Sequence, residues 1–187
     1  NWRVQSVAHW AERYGLIVIL ALGESIVAIG VGAAQLPISG PILFGAALGV
    51  LLSVGLWWLY FDVIAVAAEH RLTQTTGVER ANLATDAYTY LHVTIIAGVV
   101  VSALGVEEVL AHVESLEPFG WFGAWALLGG TSLYLAGHGF FWRRVGGTWK
   151  LWRLGTATLL LLLIPWAAVL PPLGALGLVV LLVLALV

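Results

Sequence analysis

The sequence ERYGLIVILALGESIVAIGVG, at residues 12–32, decides the fold class of this chain. Two charged residues, Glu12 and Arg13, precede an apolar run long enough to cross a bilayer, since a transmembrane helix needs about 20 predominantly apolar residues. Glu24 stands in the middle of that run. An Asp or a basic residue at the centre of a span costs about 2.5–3.5 kcal/mol. An acid at such a depth indicates a functional site, so Glu24 is the first candidate.

The composition extends this membrane assignment to all 187 residues. Apolar residues make up 61% of the chain and charged residues only 10%, whereas soluble domains carry about 25% charged residues. The mean hydropathy is +0.99. The chain contains no cysteine, which excludes disulfides and thiolate metal sites. We therefore expect an all-α, polytopic transmembrane helical bundle whose partner is the lipid bilayer.

Turn-forming and polar residues divide the chain into about six spans of a single transmembrane domain, residues 1–187. The predicted spans are residues 14–34, 41–61, 86–105, 119–142, 151–170 and 173–187. The polar segment at residues 62–85 is expected to form helical extensions around a turn at residues 75–77. The last predicted span is too short for a full crossing, and we expect this chain to be a fragment of a longer membrane protein.

The distribution of Lys and Arg predicts the orientation of these spans. With six crossings, all eight basic residues fall on one side of the membrane, whereas the other side receives only acids such as Glu107 and Glu114. Basic residues concentrate in cytoplasmic loops. The N-terminal segment, the 62–85 segment and the 143–150 loop are therefore predicted to be cytoplasmic.

Further polar residues collect at the predicted cytoplasmic ends of the spans. Helical spacing places Asp86 and Tyr90 on one face, and Tyr88 and His92 on another. We expect these ends to form a polar vestibule that opens to the cytoplasm and leads to Glu24. The candidate functional residues are Glu24, Arg13, Asp62, Asp86, Tyr90, His92 and His138.

Structural explanations exist for the same residues and stay open at this point. Arg13 fits an ordinary interfacial side chain that extends its charge to water. Glu24 fits an interhelical hydrogen bond. The aromatic residues fit an interfacial belt, and Asp62 and Asp86 fit solvated or capping positions.

Motifs for catalysis and cofactor binding are absent. The chain has no GxSxG, HExxH or P-loop, and no GxGxxG before a helix. Glu108 and His112 are four residues apart, but two residues on an acidic segment fit a solvated face better than a metal site. We predict no catalytic, cofactor-binding or metal-binding residue. A nucleic-acid partner is not expected, because the net charge is −2 and the bases are dispersed.

Several sequence blocks resemble the bacterial low temperature requirement protein A family. They are HWAERYGL at residues 9–16, LALGESIV at 20–27, WWLYFD at 57–62, DAYTYLH at 86–92 and GVVVSALGVE at 98–107. The resemblance covers most of residues 2–142. It implies the C-terminal portion of a multi-pass protein of the bacterial cytoplasmic (inner) membrane. The N-terminal half of that protein, which carries a Phe-Phe-Asp-Leu type motif, would be a further partner of this chain.

The resemblance implies no reaction, so the functional hypotheses depend on the polar residues. The first is proton- or ion-coupled transport with Glu24 as the intramembrane protonatable residue. The second is a non-transporting structural or stress-adaptation protein of the membrane. The third is an intramembrane lipid-modifying enzyme that uses Glu24, Asp62, Asp86 or His92 as acid–base groups. The transport and enzyme hypotheses both require Glu24 to face the interior of the bundle.

Overall fold

The computed structural model describes residues 6–34, 37–62 and 64–187, which form helices and no strand. The elements are α1 Val7–Ala34, α2 Gly40–Phe61, α3 Ile64–Gln74, α4 Gly77–Leu83, a π-helical segment π1 Ala84–Leu91, α5 His92–Ala111, α6 Gly120–Ala124, a second π-helical segment π2 Trp125–Gly129, α7 Gly130–Gly146, α8 Leu151–Ala167 and α9 Pro172–Leu184. The predicted all-α fold class is confirmed.

Three of the described helices are long and apolar enough to cross a membrane. They are Val7–Ala34, Gly40–Phe61 and the continuous helix Gly77–Ala111, which joins α4, π1 and α5. The apolar helices α8 and α9 are shorter. The chain therefore has the helices of a membrane protein, and the number of six crossings stays a prediction.

The observed helix bounds differ from the predicted spans mainly at polar ends. The third predicted span, 86–105, lies within a helix that begins at Gly77 and ends at Ala111. The hydrophobicity of the sequence marks only the apolar middle of this helix. The predicted turn at residues 75–77 lies between α3 and α4, where Gly77 adopts a φ of +59°. Glycine is favoured there because it has no Cβ to clash at positive φ.

Helices α5 and α7 approach so closely that their backbones touch. A Cβ atom at Gly98 of α5 would overlap the backbone of Tyr134, and a Cβ atom at Gly130 of α7 would overlap the backbone of Ser102. Lipid provides no hydrophobic gain for helix association, so membrane helices pack through small residues that permit such contacts. This helix pair forms the centre of the described bundle.

Helix α1 covers one side of that centre and leaves most of its own surface exposed. Its buried residues follow a single stripe, Gly15, Val18, Leu22, Ser25 and Ile29. Large apolar side chains, including Ile17 and Leu20, are exposed on its outer surface. An apolar outer face is what a lipid environment requires of a spanning helix.

Candidate functional site

Where α2, π1, α5, α7 and α8 meet, the structure buries a group of polar side chains. We call it the Tyr–His cluster. Its members are Tyr60, Tyr88, His92, Tyr134, His138 and Arg153. The relative exposure of each is 9% or less. Buried polar groups are costly unless they are hydrogen-bonded, so the partners of each group determine what the cluster can do.

His92 lies between two oxygen atoms. Its Nε2 is 2.6 Å from the hydroxyl of Tyr60, and its Nδ1 is 3.4 Å from the carbonyl of Ala87. A carbonyl can only accept, so the proton of the neutral ring is assigned to Nδ1. Nε2 then accepts a hydrogen bond from Tyr60. This bond joins the end of α2 to the start of α5.

Aromatic rings enclose the imidazole of His92. Tyr88 stacks on it with ring centroids 5.5 Å apart and an interplanar angle of 6°. Tyr14 and Phe141 meet it edge-on, each with a centroid distance of 5.1 Å. The Tyr14 hydroxyl is 3.1 Å from the hydroxyl of Thr89 in π1. These contacts fix the orientation of the ring and connect it to α1.

His138 has a different environment, because its neighbour is a cation. The Arg153 Nη1 lies 3.3 Å from Nδ1 of His138, and its Nη2 donates to the carbonyl of Leu59. Arginine carries donors only, so Nδ1 of His138 must accept. The proton of the neutral ring is therefore on Nε2, a buried atom for which the described residues supply no partner. The rings of Tyr60 and His138 are 5.8 Å apart.

A cavity of about 400 Å³ adjoins the cluster between α1, α2, α3, π1 and α7. Tyr60 and Tyr88 form part of its wall, and the acidic residues Glu12 and Glu69 also line it. The hydroxyl of Tyr88 is buried and has no hydrogen-bond partner among the described residues. The hydrogen bond between Tyr60 and His92 thus reaches from the wall of an open cavity into the centre of the bundle.

Of the seven candidate functional residues, only His92 and His138 belong to this cluster; Tyr88, which the helical spacing paired with His92, belongs to it as well. Glu24 is exposed on α1 and lines an open depression with Glu107 of α5. It forms no hydrogen bond or ion pair with any described residue. It lies ten residues beyond Tyr14, or roughly 15 Å along the helix. The expected polar path from the histidines to Glu24 is not seen within the described chain.

The remaining predicted residues lie on the surface. Arg13 is exposed on α1, and Asp62 is exposed directly after α2. Asp86 forms an ion pair with Arg144 in which the closest nitrogen and oxygen are 3.0 Å apart. Tyr90 is 67% exposed. The helical spacing correctly separates Asp86 and Tyr90 from the buried face that carries Tyr88 and His92.

Comparison with known proteins identifies the relatives of this chain. A family model described as bacterial low temperature requirement A protein (LtrA) matches residues 2–187. The chain belongs to the LtrA family. The resemblance noted in residues 2–142 therefore extends through α8 and α9. The LtrA match and the apolar helices together identify a membrane protein.

A curated relative of this LtrA chain is a protein of Rhizobium meliloti (strain 1021) whose name calls it uncharacterized. It is 33% identical over 129 residues, which cover 69% of this chain and 31% of the relative. This LtrA chain thus spans about a third of the length of the curated relative it matches. Comparison with solved structures finds no match.

Three blocks that carry the LtrA resemblance converge on His92. Residues 9–16 contribute Tyr14, residues 57–62 contribute Tyr60, and residues 86–92 contribute Tyr88 and His92 itself.

Sequence reasoning missed Tyr60, Tyr134 and Arg153 as members of the cluster. Arg153 carried a usable signal, because it is a basic residue within the apolar helix α8. Among the described residues, no group of three His, Cys, Asp or Glu side chains could hold a metal ion.

Proposed function

We propose that this LtrA chain is part of a proton-coupled membrane transporter in which His92 takes up and releases the coupling proton. The observation that supports this proposal is the 2.6 Å hydrogen bond between the Tyr60 hydroxyl and Nε2 of His92, at the wall of a cavity. Ionisable residues inside membrane proteins commonly mark ion pathways and proton relays. Histidine suits the role because a ring nitrogen can accept and release a proton, as in known proton shuttles.

The geometry around His92 accommodates both protonation states. In the neutral state, the Tyr60 hydroxyl donates to Nε2. A proton that arrives from the cavity at the Tyr60 oxygen allows the original hydroxyl proton to move to Nε2. Tyr60 is then neutral again and His92 carries a positive charge. The imidazolium keeps two partners, because Nε2 donates to the Tyr60 oxygen and Nδ1 still donates to the Ala87 carbonyl.

His138 does not offer this exchange. Its Nδ1 already accepts a hydrogen bond from Arg153, so a second proton on the ring would break that bond and bring two cations together. We therefore assign the mobile proton to His92 and a structural role to the pair of His138 and Arg153.

Because Glu24 is exposed and does not face the interior of the bundle, it is not the main protonatable residue of this proposal and remains only a proposed second protonatable group. Glu24 and Glu107 line the same depression between α1 and α5, separate from the cavity that Tyr60 and Tyr88 line. In the predicted topology this depression belongs to the opposite half of the bilayer, which is where a proton would leave or enter.

The test is proton movement in proteoliposomes that contain the purified protein and a trapped pH-sensitive dye. Candidate solutes of different classes are added outside, and a change in internal pH that depends on one solute reports coupling. We expect His92→Gln to slow this response by more than about a hundredfold, since general acid–base groups commonly contribute 10²–10⁴. Glutamine can form hydrogen bonds but cannot carry the proton.

The matched control is His112→Gln, because His112 is an exposed histidine after α5 and outside the cluster. Its response should equal that of the unmodified protein. Equal responses of folded His92→Gln and the control would refute the relay. The absence of any solute-dependent pH change would favour the non-transporting membrane protein instead.

A further inference from the structure

The cavity beside His92 combines aromatic rings with carboxylates, and its described lining contains no basic side chain. The aromatic lining residues are Tyr60, Phe61, Tyr88 and Phe141, and the acidic ones are Glu12 and Glu69. We infer that this cavity binds a small organic cation, an alkylated ammonium group. The inference rests on the proposed transport and names the class of its substrate.

The charges around the cavity favour a cation. Glu12 of α1 and Glu69 of α3 bring two acidic residues to the lining of one cavity from different helices. The Glu12 carboxylate lies 3.8 Å from the ring of the exposed His9, which is not part of the lining. Arg13 follows Glu12 in sequence but does not line the cavity. A cleft lined by one sign of charge raises the local concentration of the opposite ion.

The aromatic walls favour an alkylated cation over a hydrated metal ion. Tyr60 and Phe61 meet at 71° with ring centroids 4.8 Å apart. Tyr88 and Phe141 meet at 81° with centroids 5.6 Å apart. All four rings belong to the lining of the same cavity, and one face of Tyr88 is covered by His92. Aromatic faces attract quaternary ammonium groups through their quadrupole, as in cages for choline and methyl-lysine.

Two further features fit a small organic ligand. The volume of about 400 Å³ lies within the roughly 300–1,000 Å³ of small-molecule sites. The buried hydroxyl of Tyr88 lacks a partner within the described chain. Its oxygen can accept a hydrogen bond from a ligand hydroxyl or ammonium group that enters the cavity.

The test compares two probes that differ in charge and have nearly the same shape. Choline and 3,3-dimethylbutan-1-ol are titrated calorimetrically into the purified protein in phosphatidylglycerol nanodiscs. We expect saturable binding of choline and much weaker binding of the neutral alcohol. Equal affinities, or no saturable binding of choline, would overturn the inference.

Two sets of variants locate the binding. Phe61→Leu removes one ring and should weaken choline binding about two- to thirtyfold. Phe44→Leu is its control, because Phe44 is an exposed residue of α2 away from the cavity.

The double change Glu12→Gln and Glu69→Gln should weaken choline binding and reduce its dependence on salt. Glu114→Gln with Glu117→Gln makes the same change in net charge elsewhere and should leave affinity unaltered.

The source of the cation and the transport proposal are tested separately. Weaker choline binding in phosphatidylcholine nanodiscs identifies a lipid headgroup as the competing occupant, whereas equal binding in both lipids identifies a free solute. Either result supports the cation site.

Choline binding without any solute-driven proton movement retains this inference and rejects the transport proposal. Proton movement that depends on His92 without choline binding retains transport and rejects the inference.

Discussion

His92 can change its charge without losing a hydrogen-bond partner, and this property separates it from the other buried groups. Tyr60 can donate to Nε2 or accept from it, while the Ala87 carbonyl holds Nδ1 in both states. Glu24 has no comparable partner within the described chain. Among the single residues, His92 is therefore the strongest candidate for the group that carries the proton.

This difference gives a prediction for Glu24. In the proteoliposome assay, Glu24→Gln should slow solute-driven proton movement by less than about fivefold, a barrier change under ~1 kcal/mol. The reason is that the chain from the cavity through Tyr60 to His92 stays intact. If Glu24→Gln slowed proton movement more than His92→Gln does, Glu24 and not His92 would be the main proton-carrying residue.

The sequence predicts this site only where local spacing determines a contact. Tyr88 and His92 are four residues apart, so helical periodicity places their rings together, as the stacking shows. Tyr60, His138 and Arg153 meet through the packing of α2, α7 and α8. No periodicity links residues 60, 138 and 153, so their contact is invisible to single-sequence reasoning.

At the scale of elements, the π-helical segments are the features that the sequence did not predict. Hydrophobic periodicity describes regular helices, whereas π1 and π2 each interrupt a long helix without a proline. Segments of this kind frequently occur at functional sites. Here π1 carries Tyr88 and ends at Leu91, directly before His92, so the irregular segment provides one ring of the cavity wall and leads into the histidine.

The close contact of α5 and α7 gives a prediction with a matched control. Gly130→Ala should lower the free energy of unfolding by about 1–3 kcal/mol, because the added methyl group overlaps the backbone of Ser102. Gly155→Ala of α8 adds the same group where nothing lies within 4 Å. It should stabilise the helix by roughly 0.5–1 kcal/mol. Thermal unfolding in detergent measures both changes, and equal shifts would contradict the packing.

At the scale of the whole molecule, composition was sufficient for the all-α membrane class. The number of crossings is harder, because the helix of α6, π2 and α7 is rich in glycine and polar residues that face its neighbours. Burial inside the bundle removes the need for an apolar surface on this helix. Hydropathy is therefore a weaker guide to crossings where much of a helix surface packs against protein.

The absence of cysteine permits a direct test of the topology. Single cysteines at Thr148 and Glu114, both exposed loop positions, can be labelled with a membrane-impermeant maleimide. We expect Glu114→Cys to react in intact cells and Thr148→Cys only after lysis, because the predicted crossing at 119–142 separates them. Labelling of both in intact cells would rule out this orientation.

The glycine contacts between α5 and α7 also have a mechanical consequence. If α5 shifted by one residue, Val99 would replace Gly98 against the backbone of Tyr134, and its side chain would not fit. The two helices therefore act as a fixed frame that cannot slide. The cavity lies where α1 and α3 meet π1 and α7, so an opening movement would rock α1 and α3 against this frame. The contacts of Tyr14 with Thr89 and His92 hold α1 against this frame and would have to break in such a movement.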